Sequence, residues 1–328
     1  MYIPDSDFKG GNRMEAILSV KNLNKSFGSR SVIRNVSFDV YGGEIFGFLG
    51  PNGAGKTTTI KMIMGFLFPD SGEISICNMN LKKQYEKAMN LVGGIVENPE
   101  MYKEMTGYEN LRMYARLHDG VTEARIQEVV ALVGMQNRAG EKLKKYSLGM
   151  KQRIGLAQAI VHKPKLLILD EPTNGLDPAG IKELRDILKK LAHEENIAVF
   201  VSSHMLAEME LMCDRVAIID RGSVIDIKPI EEILHMASQQ ESYRFEVESE
   251  SVLKAKELAV KMYGENSLYG GGNFTDDHSV QLIISRDKIP EFNRSLVENG
   301  ISVYAISEME NSLEDAFIAI TGGGISIA

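Results

Sequence analysis

The sequence predicts an α/β protein built on a parallel sheet, followed by a smaller α+β domain. Three observations carry that expectation. Short apolar runs alternate with stretches of helical period between residues 45 and 219, the pattern of βα units. The first of those runs, Ile45 to Leu49, leads directly into Gly50-Pro51-Asn52-Gly53-Ala54-Gly55-Lys56-Thr57. Beyond a polar stretch at 237–242, strand and helix patterns resume in a new order.

The octapeptide fits G-x-x-x-x-G-K-[ST], the phosphate-binding loop. Its glycines let the backbone take positive φ and turn N–H groups toward phosphates. Thr58 to Phe66, with Ile60, Ile63 and Met64 at helical spacing, reads as a helix whose N-terminus adds a positive dipole end. Lys56 is expected to reach the β- and γ-phosphates and the Thr57 hydroxyl to bind Mg²⁺.

Upstream, Ile17 to Val20 and the pair-spaced Val36, Phe38 and Val40 read as strands. Between them Phe27 stands in a turn; on spacing alone it is either a stacking platform for adenine or a hydrophobic anchor. Glu73 to Ile76 and Leu91 to Val96 read as further strands, with helix over 82–90. A helical insertion over about 98–160 follows, where three segments place apolar residues at i, i+3 and i+4. Leu166-Leu167-Ile168-Leu169-Asp170-Glu171 then reads as a strand buried on both faces, with two carboxylates at its C-terminal end, where ligands of parallel sheets sit. Asp170 suits a Mg²⁺ ligand and Glu171 a water-orienting base. Helices over 179–192 and 205–212 and strands at 197–201 and 216–219 continue the alternation. Ser202-Ser203-His204 lies at another strand end, which makes His204 the histidine most suited to a functional role. None of the six histidines has metal-ligand spacing.

From Tyr243 the pattern is β-α-β-β-α-β, the ferredoxin-like order, with one strand weakly marked near 266–269 and a Gly270–Asn273 loop. Ser312 caps a final helix, LEDAFIAIT. No phosphate loop, acid pair or metal cluster lies there, so regulation or dimer support is expected rather than catalysis. The domain reading is a loose tail at 1–14, a nucleotide-binding domain at 15–236 and an accessory domain at 243–328.

Composition narrows the class. A net charge of −8 gives no basic footprint for nucleic acid. Cys77 and Cys213 lie far apart without metal spacing and read as buried free thiols in a reducing compartment. No apolar run approaches the ~18 residues of a membrane span, and the first residues lack the apolar core of a signal peptide. The expectation is a cytoplasmic protein, or one held at the membrane through a partner.

One more motif is specific. Tyr146-Ser147-Leu148-Gly149-Met150-Lys151-Gln152-Arg153 resembles the signature of ATP-binding cassette (ABC) ATPases, with Leu148 in place of the usual glycine and Met150 in place of the usual glutamine. The order of motifs through 15–236 fits that family. The resemblance implies ATP and Mg²⁺ as ligands. It assigns adenine stacking to Phe27, phosphate contacts to Gly50 through Thr58, metal binding to Thr57 and Asp170, and catalysis to Lys56, Glu171 and His204. It also implies a homodimer in which Ser147 and Gly149 of one copy face the nucleotide on the other's phosphate loop, with Asp177 in the D-loop beside it. Most cassettes carry glutamine where this chain has Glu97. The run Ile95 to Pro99, Met101-Tyr102 and Thr106 to Leu111, with the tail Leu313 to Ile318, resembles the bacitracin- and lantibiotic-immunity exporter subgroup. Glu97 is expected to bind Mg²⁺ and to couple to a separate transmembrane permease; the alternative is that it points to solvent. The function implied is ATP hydrolysis driving export of antimicrobial peptides or drugs, against a lipid or multidrug exporter or an ABC ATPase without a transport role.

Overall fold

The alternating residues at 16–41 form a hairpin of two 12-residue strands, β1 (Ala16–Phe27) and β2 (Arg30–Tyr41). In the computed structural model, residues 15–97, 99–233, 241–264, 267–268 and 278–309 are described. The tail at 1–14, linker residues 237–240, the Gly270–Asn273 loop and the segment from Ser312 onward lie outside them. Register pairs Val20 with Phe38 on one side and with Ile74 of β4 (Ser71–Ile76) on the other, so these apolar side chains share a face. Met79–Asn80 (β5) completes this four-stranded antiparallel sheet.

A second sheet has six strands in the order β10-β9-β3-β8-β7-β6. They are β3 (Ile45–Leu49), β6 (Val92–Ile95), β7 (Leu166–Asp170), β8 (Ala198–Ser203), β9 (Arg215–Asp220) and β10 (Ser223–Pro229). β6, β7 and β8 run parallel, and every residue of β3, β7 and β8 is buried. That explains runs without alternation, because both faces are covered. Phe38, Phe46, Phe48 and Phe200 join the two sheets, with ring centroids 5.4–6.0 Å apart. Strand β10 carries no sequence signal; its residues are half-exposed and lack clean alternation.

The helical stretch becomes α3 (Gly107–Ala115), α4 (Glu123–Leu132) and α5 (Leu148–Ile160), after α1 (Lys56–Ile63) and α2 (Tyr85–Met89). Thr106 and Glu109 form a capping box at α3, and Thr122 and Ser147 cap α4 and α5. Buried Arg125 donates to the Ile160 and Val161 carbonyls, at 2.9 and 3.2 Å, and so closes the far end of α5. Helix α5 lies close on β6, with glycines at the points of nearest approach. A β-carbon on Gly93 would fall 1.8 Å from the Ala159 carbonyl oxygen, and one on Gly155 would fall 2.5 Å from Pro99.

His118 and His162 stack in this region, with ring centroids 4.1 Å apart and planes at 8°. Burial, helped by His118 and Arg125, brings the His162 imidazole from 6.5 down to about 4, against the opposing hydrogen bond to Val92 O. The folded chain therefore keeps His162 neutral where the unfolded chain takes up a proton. Its contribution to stability is complete above about pH 6.5 and is lost as pH falls toward 4. The melting temperature of the wild type is expected to fall across that window, and that of His162→Gln to fall less. An equal pH slope in both would remove His162 as the source.

Two compact units divide the chain. One takes the residues up to Phe48, Gly53–Ser202 and Ile219–Val224; the other takes Leu49–Asn52, Ser203–Ile218 and everything from Ile225. Within the second, α7 (Leu206–Met212), β11 (Ser242–Val247), α8 (Val252–Tyr263), β12 (Ser279–Ile283), α9 (Ile289–Glu298) and β13 (Val303–Met309) follow in order. The sheet order is β12-β11-β13, all antiparallel, and Leu268 bridges to Leu282 on the outer side of β12. For these three strands that is the order and sense of a ferredoxin-like sheet, and Leu268 is bridged on the side of β12 where the weakly marked strand is expected. Phe245 and Phe292 meet edge to face at 4.9 Å in its core.

Candidate functional site

The phosphate loop owes its shape to two residues. Gly53 and Gly55 take φ of 82° and 110°, in the left-handed range that other residues avoid. A β-carbon on Gly55 would also fall 2.5 Å from Ile33 Cδ1. Gly55 is the N-cap of α1 and brings no side-chain cap, so the first N–H groups of the helix are left for an anion. Ala54, Gly55 and Lys56 are buried; Thr57 and Thr58 are half-buried.

One cleft of about 290 Å³ is lined by Thr57, Glu97, Gln152, Asp170, Glu171 and Asn174. Asp170 ends β7, where it pairs in register with Ser202 of β8, and it accepts the Ser202 hydroxyl at 2.6 Å. Glu171 follows with φ 45°, a conformation held by its N–H donating to Ser202. Its carboxylate meets Lys56 Nζ at 3.3 Å and accepts from Asn174 Nδ2 at 2.6 Å. Glu97 is also left-handed, with φ 64°, and its exposed carboxylate meets Lys61 Nζ at 2.7 Å.

Of the expected site residues, Thr57, Glu97, Asp170 and Glu171 line this cleft, and Lys56 reaches it through Glu171. Phe27 closes β1 rather than standing in a free turn; its ring is 52% exposed, with Lys25 Nζ 5.7 Å from the centroid. Ser147 and Asp177 are exposed and cap α5 and α6 (Pro178–Lys189) through bonds to Met150 N and Gly180 N. Gly149 lines a second, smaller cavity with Gln152, which the two share, and with Arg153, Leu176, Gly180, Leu184 and Ile187. Leu148, the departure from the signature, occupies the space that a β-carbon of residue 175 would need. Gly50, Pro51, Asn52 and His204 belong to the second unit, where Gly50 N donates to Ser203 O at 3.3 Å. His204 follows β8 directly and is half-buried.

Sequence reasoning missed Lys61, Ser202, Gln152 and Asn174 as residues of this site. Lys61 was legible from helix period, four residues after Thr57 and so on the same face. Gln152 and Asn174 stand inside motifs that were read only as family markers. Ser202 needs the register between β7 and β8, which no local pattern shows.

Residues 33–174 match the ABC transporter family. The uncharacterized ABC transporter ATP-binding protein YhcH of Bacillus subtilis (strain 168) is 46% identical over 313 residues, covering 94% of this chain and 97% of that protein. The chain belongs to the ABC transporter family. It is an ATP-binding subunit of that family, whose ATPase activity is coupled to transport. Bacitracin transport ATP-binding protein BcrA of Enterococcus faecalis is 38% identical over 312 residues, 95% of this chain and 98% of that one. A solved ATP-binding subunit of an ABC transporter superposes with a TM-score of 0.61 at 32% identity, covering 67% of this chain and 92% of that one.

Among the described residues no helix is long and apolar enough to cross a membrane, and no three His, Cys, Asp or Glu are grouped to hold a metal. Of the two free cysteines, Cys213 is buried as expected, whereas Cys77, in the turn between β4 and β5, is only half-buried.

Proposed function

We propose that this ABC ATPase drives a separate membrane permease, and that its cargo is an antimicrobial peptide of the bacitracin kind. The observation that carries the reading is the carboxylate cleft on the phosphate-loop helix, with Ser147 and Gly149 outside it. Ser147, Gly149 and Asp177, all expected to touch ATP, do not line the cleft, which supports a homodimer in which each copy completes the other's site. The cassette spans 15–236 and carries an accessory domain at 243–328. The permease holds it on the cytoplasmic face of the membrane. The similarity to the bacitracin transport protein supports the cargo class.

Within the site, the backbone N–H groups of the phosphate loop, Pro51 having none, hold the phosphates, Phe27 stacks on adenine and Lys56 exchanges Glu171 for the phosphates. Glu171 orients the attacking water, and His204 contacts the γ-phosphate. The Thr57 hydroxyl and the Asp170 and Glu97 carboxylates form a hard oxygen donor set around one cleft, which fits Mg²⁺ bound by few protein ligands plus nucleotide oxygens. When bound, Mg²⁺ offsets the charge that develops on the phosphates.

Affinity purification from membranes is expected to bring down a distinct multi-span polypeptide, and bacitracin to raise the ATPase rate of that complex several-fold. A rate unmoved by bacitracin and lantibiotics, but raised by lipids or other drugs, would transfer the cargo to those classes.

A further inference from the structure

The cleft gathers three carboxylates where a multiply charged nucleotide has to enter. Each is held differently. Glu171 meets Lys56 at 3.3 Å, Asp170 accepts the Ser202 hydroxyl at 2.6 Å, and Glu97 meets Lys61 at 2.7 Å. Two of the three are thus paired with lysines of one helix, α1. Lys56 belongs to the phosphate loop. Lys61 belongs to no motif, yet it holds the residue by which this chain departs from most cassettes.

We propose that Lys61 is a positioning residue that keeps Glu97 in a resting arrangement, from which Glu97 exchanges Lys61 for Mg²⁺ when the nucleotide binds. This rests on the reading of Glu97 as a metal ligand. The side chains of Lys61 and Glu97 are 41% and 63% exposed, so their pair adds little to folding and separates at small cost. Glu97 already lines the same cleft as Thr57 and Asp170. A neutral glutamine at 97 would need no such partner. A glutamate left without Lys61 would add a further negative charge beside Asp170 and Glu171. Lys61 also accepts backbone bonds from Phe66 and Leu67 through its carbonyl, which a side-chain substitution leaves in place.

The test is a double-mutant cycle on the full-length chain. It reads the free Mg²⁺ that half-maximally promotes binding of a fluorescent ATP analogue, with melting temperatures recorded to confirm folding. Lys61→Met is expected to lower that concentration about threefold to tenfold, because Glu97 no longer has to leave a lysine. Lys61→Arg is expected to stay within about twofold of wild type. In a Glu97→Gln background, Lys61→Met is expected to shift it by less than about twofold. Fixed charges acting at a distance would add without coupling. Equal shifts in both backgrounds, or no shift with Glu97 present, would therefore overturn the role of Lys61 while leaving Glu97 as a ligand. A Glu97→Gln chain with an unchanged Mg²⁺ requirement would overturn the ligand reading and the proposal together.

Discussion

Glu171→Gln is expected to cut steady-state phosphate release at least about a hundredfold, the usual reach of one positioned base, while ATP still binds. The substitution is close to isosteric. The backbone N–H of residue 171 keeps its bonds to Ser202, and the Asn174 amide keeps an oxygen to donate to. What is lost is the negative charge that turns a water toward the γ-phosphate. Lys56, relieved of its partner at 3.3 Å, stays available to phosphate. The variant should therefore accumulate as an ATP-bound dimer, visible as a nucleotide-dependent shift in gel filtration. Brisk turnover would remove Glu171 from the base role, and a monomer at saturating ATP would count against the shared site.

Lys56→Ala is expected to act one step earlier, weakening ATP binding about tenfold to a hundredfold. That range follows from losing a charge-assisted hydrogen bond of ~1.5–3 kcal/mol. Lys56 is only 5% exposed, so its ammonium is already stripped of water and has little left to lose on meeting phosphate. Its removal also takes one partner from the Glu171 carboxylate, itself 20% exposed, while the Asn174 amide stays in place. A direct ATP titration beside a melting curve separates the two effects. Unchanged affinity in a folded variant would contradict the assignment.

The parts of this protein that were legible in its sequence are those whose physics is local. The phosphate loop needs glycines at two left-handed positions, and Gly53 and Gly55 supply them within four residues of Lys56 and Thr57. The strand before Asp170 needs cover on both faces, which a bare run of Leu166 to Leu169 announces. Other features depend on what folding brings alongside. Phe27 belongs to β1 because its register with Arg30 carries the hairpin to its last residue. β10 forms because an edge position is available, although its own residues alternate poorly. The partners of Asp170 and Glu97 come from 32 residues away for Ser202 and 36 for Lys61. Charge pairing at that range leaves no periodicity to read.

The contact of α5 with β6 has a mechanical consequence. Where Gly93 lets the strand approach the Ala159 backbone, it has no side chain of its own to change rotamer and absorb a displacement. From Gly155 back to Ser147 the helix runs eight residues, about 12 Å at its regular rise. The Gly93 seat and the serine at the tip of α5 are therefore joined by a stiff strut. A shift felt at one end is delivered to the other with little slack, and adding a single methyl group at residue 93 would jam the seat on which that strut rests.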